Sequence, residues 1–322
     1  MQVATAGSCF AQHIGRHMRE GGFSILDVEP APKTLPKERH PSFGYAIYSA
    51  RYGNIYTVRQ MLQLAQEALG CRETSREVWH QGDRFVDALR PTIEPDGLPS
   101  PDVVLRHRER HLERVRELLT RMDLFIFTMG LTEAWVDQPS GTVFPICPGT
   151  VAGDFDPQRH AFRNFTFNEI LSDFLELRDL LRSVRNARAP RFLLTVSPVP
   201  LTATACSRHV QVSTVHSKSV LRAVAGELAD RFDDIDYFPS YEIITSPWSG
   251  DCFYEANMRS VTAAGVAHVM RTFMAAHSKA AAAPPAPRPR PAAAAPESAA
   301  VEDDMAVVCD EELLDAFGKA PT

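Results

Sequence analysis

Five short runs of β-branched and aromatic residues occur in the first 240 positions, and each run ends in small or turn-forming residues. They occupy residues 3–6, 23–28, 124–128, 191–197 and 235–238. Runs of this length, bounded in this way, are typical of buried strands. The pattern therefore predicts five strands.

Between these runs the apolar residues recur every three to four positions, which is the spacing of amphipathic helices. This spacing predicts helices at residues 13–20, 58–69, 112–122, 217–232 and 262–277, and a capping box at 166–169 opens another that runs to about residue 184. Strands that alternate with helices need crossover connections, so the sheet is parallel. We predict the α/β class, a three-layer α/β/α doubly wound parallel sheet whose functional groups lie beyond the carboxyl ends of the strands.

Composition divides the chain into one folded domain and a tail. Residues 1–277 form the predicted domain, with two aperiodic excursions at 30–57 and 71–103 that are expected to lie over the functional edge. Residues 278–303 are nearly all Ala and Pro, which indicates a disordered linker. The acidic segment 304–322 has an apolar face within 304–317, and two interpretations stay open: a short helix that docks on this protein or on a protein partner, and a tail that only adds solubility.

Charge and cysteine usage exclude several classes of function. The net charge of −6 lacks the basic excess of nucleic-acid-binding proteins. The six cysteines include no Cys-x-x-Cys pair, so neither a zinc site nor a disulfide framework is predicted, and no metal or other cofactor is indicated. No apolar run approaches the ~20 residues that cross a bilayer, and the first residues lack the features of a signal peptide. The sequence therefore predicts a cytoplasmic protein with no membrane span.

The first predicted strand ends in Gly7-Ser8-Cys9-Phe10, directly before a predicted helix. A hydroxyl at such a turn lies near backbone N–H groups that stabilise a developing oxyanion, so Ser8 is a candidate nucleophile. Serine also favours the N-cap of helices, and an N-cap role for Ser8 stays open. Cys9 has no basic neighbour to activate it and is interpreted as a buried thiol.

Two further polar loops follow predicted strands. Gly130 permits close approach of the backbone to a ligand, and Thr132 and Glu133 add polar groups to the same loop. Ser197 ends another strand, and two prolines stiffen the loop after it. Because the carboxyl ends of parallel strands meet at one edge, we expect these residues to lie near Ser8.

The pair His107 and His111 has the i, i+4 spacing with which a helix can present two metal ligands. Arg106, Arg108 and Arg110 surround the pair with positive charge. We therefore interpret this stretch as a solvated helix face.

Six short segments are specific when taken together: Gly7-Ser-Cys-Phe-Ala11, Thr128-Met-Gly130, Ser197-Pro-Val199, Ser217-Lys218, Phe238-Pro-Ser-Tyr-Glu-Ile243 and Phe253-Tyr254. From about residue 4 to residue 275, the chain resembles the GSCFA-domain family, which is related to SGNH or GDSL-like hydrolases. The resemblance implies an SGNH-hydrolase-like, flavodoxin-like fold in which Ser8 attacks an ester carbonyl.

The resemblance also implies three donors to the oxyanion: the Ser8 backbone N–H, a glycine N–H and an asparagine side chain. Gly53-Asn54 is the candidate for the glycine block. The loop after Gly130 carries Thr132 where the asparagine is expected, and a hydroxyl can still donate one hydrogen bond.

The family's acid and base belong to a pattern Phe-Tyr-x-x-Asp-x-x-His, and this chain departs from it. Asn257 occupies the acid position and Ser260 the base position. Neither side chain deprotonates a serine at neutral pH. His209 and His216 are the first candidates for a replacement base, and His13 is the next.

Two functions fit these residues. The first is a serine esterase or O-acyltransferase of SGNH type, with Ser8 as nucleophile and a small-molecule or carbohydrate ester as substrate. The second is a non-catalytic glycan- or protein-binding module, because the Asp/His pair is absent. Whether the chain is an enzyme stays open at this point.

Overall fold

The computed structural model describes residues 1–185, 189–247 and 252–277. Within these ranges the strands are β1 (Val3–Gly7), β2 (Val78–Gln81), β3 (Arg84–Asp87), β4 (Leu124–Met129), β5 (Glu133–Asp137), β6 (Val143–Phe144), β7 (His160–Asn164), β8 (Arg191–Val196) and β9 (Ile235–Tyr237). The α-helices are α1 (Ala11–Glu20), α2 (Val58–Leu69), α3 (Pro101–Arg121), α4 (Phe167–Ser183), α5 (Val210–Arg231), α6 (Ser240–Thr245) and α7 (Ala263–His277). The predicted linker at 278–303 and the acidic tail at 304–322, with its predicted partner-binding segment 304–317, lie outside the described residues.

The central sheet has the strand order β1-β4-β8-β9, and all its neighbouring strands are parallel. This confirms the predicted class and four of the five predicted strands. The prediction of a fifth strand at residues 23–28 is wrong, because this segment forms only a single parallel bridge, between Ile25 and Val3. It lies at the sheet edge, where the exposed Ser24 and Asp27 disfavour extended pairing.

The order of segments across the sheet reverses between β1 and β4. The segment around Ile25 lies on one side of β1, whereas β4, β8 and β9 follow in turn on the other side. Such a reversal leaves a crevice at the carboxyl ends of the two strands, and ligands of doubly wound proteins bind there. Ser8 follows β1 and Gly130 follows β4, so both residues lie at this crevice.

Helices cover both faces of the sheet, as predicted. Phe125 and Phe127 of β4 pack into an apolar cluster with side chains of α2, α3, α4 and α5. Ile126, between them, faces the opposite way and packs with side chains of α1, α6 and α7. Because alternate side chains of β4 face opposite ways, helices pack on both faces of the sheet, and the domain has three layers. None of the helices in the described ranges has both the length and the apolar character needed to span a membrane.

Side chains cap the starts of α2, α3, α4 and α5, and the sequence pattern predicted the starts of α2 and α4 but not those of α3 and α5. Helix α2 has the predicted bounds and begins after Thr57, whose side chain accepts a hydrogen bond. The capping box of α4 is confirmed, since Thr166 and Glu169 each accept from the other's backbone N–H. Helix α5 begins at residue 210 rather than 217, because the imidazole of His209 acts as its cap. Helix α3 begins at residue 101 rather than 112, after the cap Ser100.

Two small antiparallel sheets, which the pattern did not predict, adjoin the central sheet. β2 pairs with β3, and β5 lies between β6 and β7. Trp79 of β2 packs against Phe144 of β6 with ring centroids 5.2 Å apart, in a separate apolar cluster. The excursion at 71–103 therefore contains a hairpin, whereas the one at 30–57 contains two single 3-10 turns, Lys37–Arg39 and Pro41–Phe43.

Candidate functional site

The turn after β1 presses Ser8 against the neighbouring strand. Gly7 has a φ of +136°, and a Cβ at this position would collide with the Thr128 backbone. The Ser8 N–H donates to the Thr128 carbonyl at 3.1 Å. Only glycine fits here, so the family's Gly-Ser pair has a steric reason.

The Ser8 side chain is 2% exposed, and its Oγ atom has no hydrogen-bond partner among the described residues. It does not cap α1, since the N-cap residue is Phe10 and no side chain caps that end. The N-cap interpretation is therefore wrong. A buried hydroxyl without a partner is costly and marks a place where a ligand or a reacting group can supply one.

Gly130 packs directly against Ser8, and Asn54 is joined to the Ser8 turn through Tyr48. A Cβ on Gly130 would lie 2.9 Å from the Ser8 Cβ, so the two backbones are in close contact. The Tyr48 hydroxyl donates to the Ser8 carbonyl at 3.0 Å and to Asn54 Oδ1 at 2.6 Å. Gln12 Nε2 also donates to Asn54 Oδ1, at 3.2 Å. The structure thus brings the predicted Gly53-Asn54 pair to the Ser8 turn.

Of the predicted oxyanion donors, the Ser8 N–H is engaged with another acceptor, whereas the Thr132 hydroxyl is not. The Ser8 N–H is bound to Thr128, and the Gly130 N–H donates to the Tyr56 carbonyl at 3.1 Å. The Thr132 N–H donates to Ser217 Oγ at 3.0 Å. The Thr132 hydroxyl is buried and has no partner among the described residues. An oxyanion at Ser8 would therefore need the Ser8 N–H to release its acceptor, whereas the Thr132 hydroxyl has no acceptor to release.

The candidate bases do not reach Ser8. All eleven histidines lie in the described ranges, and none of them bonds to Ser8 Oγ. His209 is exposed and caps α5 by accepting the Gln211 N–H, and His216 is exposed on the same helix. The His13 ring packs beside Phe10, with centroids 5.5 Å apart.

The positions of the family's acid and base form a turn of their own. Asn257 Nδ2 donates to Ser260 Oγ at 2.9 Å, and Asn257 Oδ1 accepts the N–H groups of Arg259 and Ser260. Asn257 is exposed and Ser260 is half-buried. The two residues satisfy each other and supply no proton acceptor to the crevice.

A cleft of about 320 Å³ opens at the same edge, beside the Gly130 loop. It lies between the small β5–β6–β7 sheet and the loop after β8, and its walls are mainly apolar and aromatic. The residues that line it include Leu131, Glu133, Trp135, Phe162, Thr150 and Thr204. Its size is that of small-molecule sites.

Glu133 is the charged group of this cleft. Its carboxylate accepts a hydrogen bond from the Thr204 hydroxyl at 2.9 Å and one from the Cys206 thiol at 3.6 Å. Burial raises the pKa of the Glu133 carboxyl despite these bonds. Ser197, by contrast, turns its hydroxyl to the Val199 N–H at 3.3 Å and holds its own loop.

Ser217 and Lys218 are part of the resemblance to the family, and the structure shows that both also form hydrogen bonds to the Gly130 loop. Lys218 is 1% exposed, and its Nζ donates to the Gly130 carbonyl at 2.7 Å. Ser217 accepts the Thr132 N–H on the other side of Leu131. Lys218 lies on the same face of α5 as the apolar residues 221, 225 and 228. A lysine on a buried helix face is unusual, and this was the feature of the sequence that could have identified its role.

The solvated-face interpretation of residues 107–111 holds for the exposed Glu109 and Arg110 but is wrong for Arg108 and His111. Arg108 is 2% exposed and His111 is fully buried, because both turn toward acidic residues beneath the helix. Within the described ranges, no cluster of His, Cys, Asp and Glu side chains has the arrangement of a metal site.

The fold and the site define an α/β protein with a buried serine at the reversal point of a parallel sheet and an apolar cleft beside it. The chain matches the GSCFA family over residues 2–273, and it belongs to that family. Among solved structures it is similar to a mutant acetyl esterase with an acetate ion, at 9% identity and a TM-score of 0.34, over 84% of this chain and 93% of that one. No curated protein matches the chain.

Proposed function

We propose that this chain binds a small glycan, one that carries acyl groups, in the cleft beside the Gly130 loop. The cleft itself is the observation that carries the proposal: about 320 Å³, at the carboxyl edge of a doubly wound sheet, with mainly apolar walls. A cavity of this size accommodates a small ligand rather than a protein surface.

The chemistry of the walls favours a sugar with an apolar substituent. Trp135 and Phe162 meet edge to face with centroids 5.7 Å apart and offer an aromatic surface to a ring. Glu133, Thr150 and Thr204 provide acceptors and donors for hydroxyl groups. The apolar remainder of the wall suits an acyl group.

Calorimetric titration of the full chain with a panel of O-acetylated and chemically deacetylated oligosaccharides tests this proposal. We expect an acetylated member to bind, and we expect Trp135→Ala to weaken its affinity by about five- to tenfold, which corresponds to ~1 kcal/mol of aromatic contact. Tyr241→Ala removes a half-buried aromatic residue of α6 outside the cleft and serves as the matched control. Failure of the whole panel to bind, or equal losses in the two variants, would contradict the proposal.

A serine esterase or O-acyltransferase that uses Ser8 is the second candidate, and the buried, unpaired Ser8 hydroxyl favours it. In that reaction Ser8 Oγ would attack the ester carbonyl, the alcohol would leave with the serine proton, and water or an acceptor hydroxyl would take the acyl group. The engaged Ser8 N–H and the Asn257–Ser260 turn weigh against it, because that N–H is bound to another acceptor and no histidine among the described residues bonds to Ser8 Oγ.

Covalent labelling by a fluorophosphonate separates the two candidates. If Ser8 is a nucleophile, the folded chain is labelled and Ser8→Ala is not. Ser213→Ala is the control, since Ser213 is also buried and its hydroxyl also lacks a partner among the described residues. We expect no Ser8-dependent labelling under conditions in which a control esterase reacts completely.

A further inference from the structure

A cluster of buried charges lies under helix α3, away from the cleft. Arg108 is paired with Glu67 and, at 3.5 Å, with Asp87, and Arg90 is paired with Asp87 at 2.9 Å. Each of these four side chains is at most 5% exposed. His111, which is fully buried, bonds to Glu29 at 2.8 Å through Nδ1. Charges are retained in an interior only when their polar groups find partners.

Two polar atoms of this cluster have no partner among the described residues: Arg108 Nε and His111 Nε2. Both residues line one small cavity of about 20 Å³, together with Tyr52, Gln60, Gln63 and Arg90. About 10–15 Å³ of such volume is enough for one water molecule, so the cavity is close to the size of a single water.

The protonation of the two atoms follows from their neighbours. Despite its burial, the hydrogen bonds from His111 and the Arg51 N–H and the charge of Arg90 lower the pKa of the Glu29 carboxyl. Glu29 is therefore ionised at neutral pH, so His111 Nδ1 must be the donor in their bond. Burial, reinforced by the charge of Arg90, lowers the pKa of His111 to about 4. The imidazole is therefore neutral, and its Nε2 carries a lone pair that accepts. Arg108 Nε carries a hydrogen and donates.

Charge decides which small species can satisfy both atoms. A cation would meet the unpaired N–H of Arg108, so it is disfavoured. An anion would be repelled by the lone pair of His111. It is also disfavoured by the local charge, because three carboxylates outnumber two guanidinium groups in this cluster: Glu29, Glu67 and Asp87 against Arg90 and Arg108. A neutral molecule that both donates and accepts meets neither obstacle, and water is the one that fits the volume.

We infer that one water molecule is an integral part of this cavity, where it accepts a hydrogen bond from Arg108 Nε–H and donates one to His111 Nε2. Both partners of the water belong to α3, and the cavity adjoins the segment that supports Ser8, because Tyr52 lines it and Arg90 donates to the Arg51 carbonyl at 3.0 Å. Asn54, which shares the Tyr48 hydroxyl with Ser8, lies in that segment.

A crystal structure of the full chain, at a resolution that shows ordered water, tests the inference. We expect a single density peak at about 2.7–3.2 Å from both Arg108 Nε and His111 Nε2. Absence of a peak, a peak that contacts only one of the two atoms, or density larger than one atom would overturn the inference.

Magnetisation transfer from water to nearby protons, measured by NMR, provides a second test in solution. We expect a transfer signal from a long-lived water at the His111 ring protons. Arg108→Lys removes the Nε–H donor and should abolish this signal in any fraction that folds, whereas Ser213→Ala should retain it. A signal that persists unchanged in Arg108→Lys, or its absence from the unmodified chain, would contradict the inference.

Discussion

At the scale of single residues, Gly130 sets how closely the β4 loop approaches Ser8. A Cβ there would lie 2.9 Å from the Ser8 Cβ and 3.1 Å from the Tyr56 carbonyl oxygen. We expect Gly130→Ala to lower the free energy of unfolding by ~1–3 kcal/mol, because a close-packed interior has no space for the methyl group. Denaturant titration measures this change.

Gly226→Ala, in the interior of α5, is the control for that measurement. Its added Cβ meets only the flexible end of Arg222, and alanine favours a helix over glycine by up to ~1 kcal/mol. This variant should be neutral or more stable. If both glycine variants lose similar stability, close packing at Ser8 is not the reason.

The free energy of unfolding depends on pH through the titration of His111. Its folded-state pKa is lowered to about 4 from an ordinary 6.5, by burial and by the Arg90 charge. Between these values the unfolded chain binds a proton that the folded chain does not, so the free energy of unfolding falls as the pH is lowered from 6.5 to 4. We expect a loss of about 2–3 kcal/mol over this range, measured by urea titrations at each pH. In His111→Gln this part of the slope should disappear, and an unchanged slope would assign it to other groups.

At the scale of elements, a side-chain cap made some helix starts predictable but not all of them, since the Ser100 cap of α3 was overlooked. The capping box of α4 was readable because Thr166 and Glu169 have the required spacing. The start of α5 was missed because its cap is an imidazole, and His209 was instead assigned as a candidate base. The short strands β5, β6 and β7 were missed because they have two to five residues and pack against each other rather than on the main core.

The α4 cap permits a direct test at this scale. Thr166→Ala should lower the free energy of unfolding by about 1 kcal/mol, because the Glu169 N–H loses its acceptor. Thr166→Ser keeps the hydroxyl and should lose much less. Thermal unfolding followed by circular dichroism compares the two variants, and equal losses would show that the methyl group rather than the cap matters.

At the scale of the whole molecule, the sequence predicted the layers and the edge at which the polar loops meet. The alternation of strands and helices determines both, since connections in such folds are short and right-handed. It did not predict the cleft, because the cleft forms between the unpredicted small sheet and the loop after β8. It also did not predict that Arg108 and His111 are buried, since their acidic partners come from residues 29, 67 and 87, far away along the chain.

In the proposed function, the cleft binds an acylated glycan while Ser8 remains chemically unchanged. Mass spectrometry of the chain after incubation with an O-acetylated oligosaccharide that it binds is the decisive test. We expect that the protein mass is unchanged and that the oligosaccharide keeps its acetyl groups. An acetylated Ser8, or acetate release that disappears in Ser8→Ala, would contradict it.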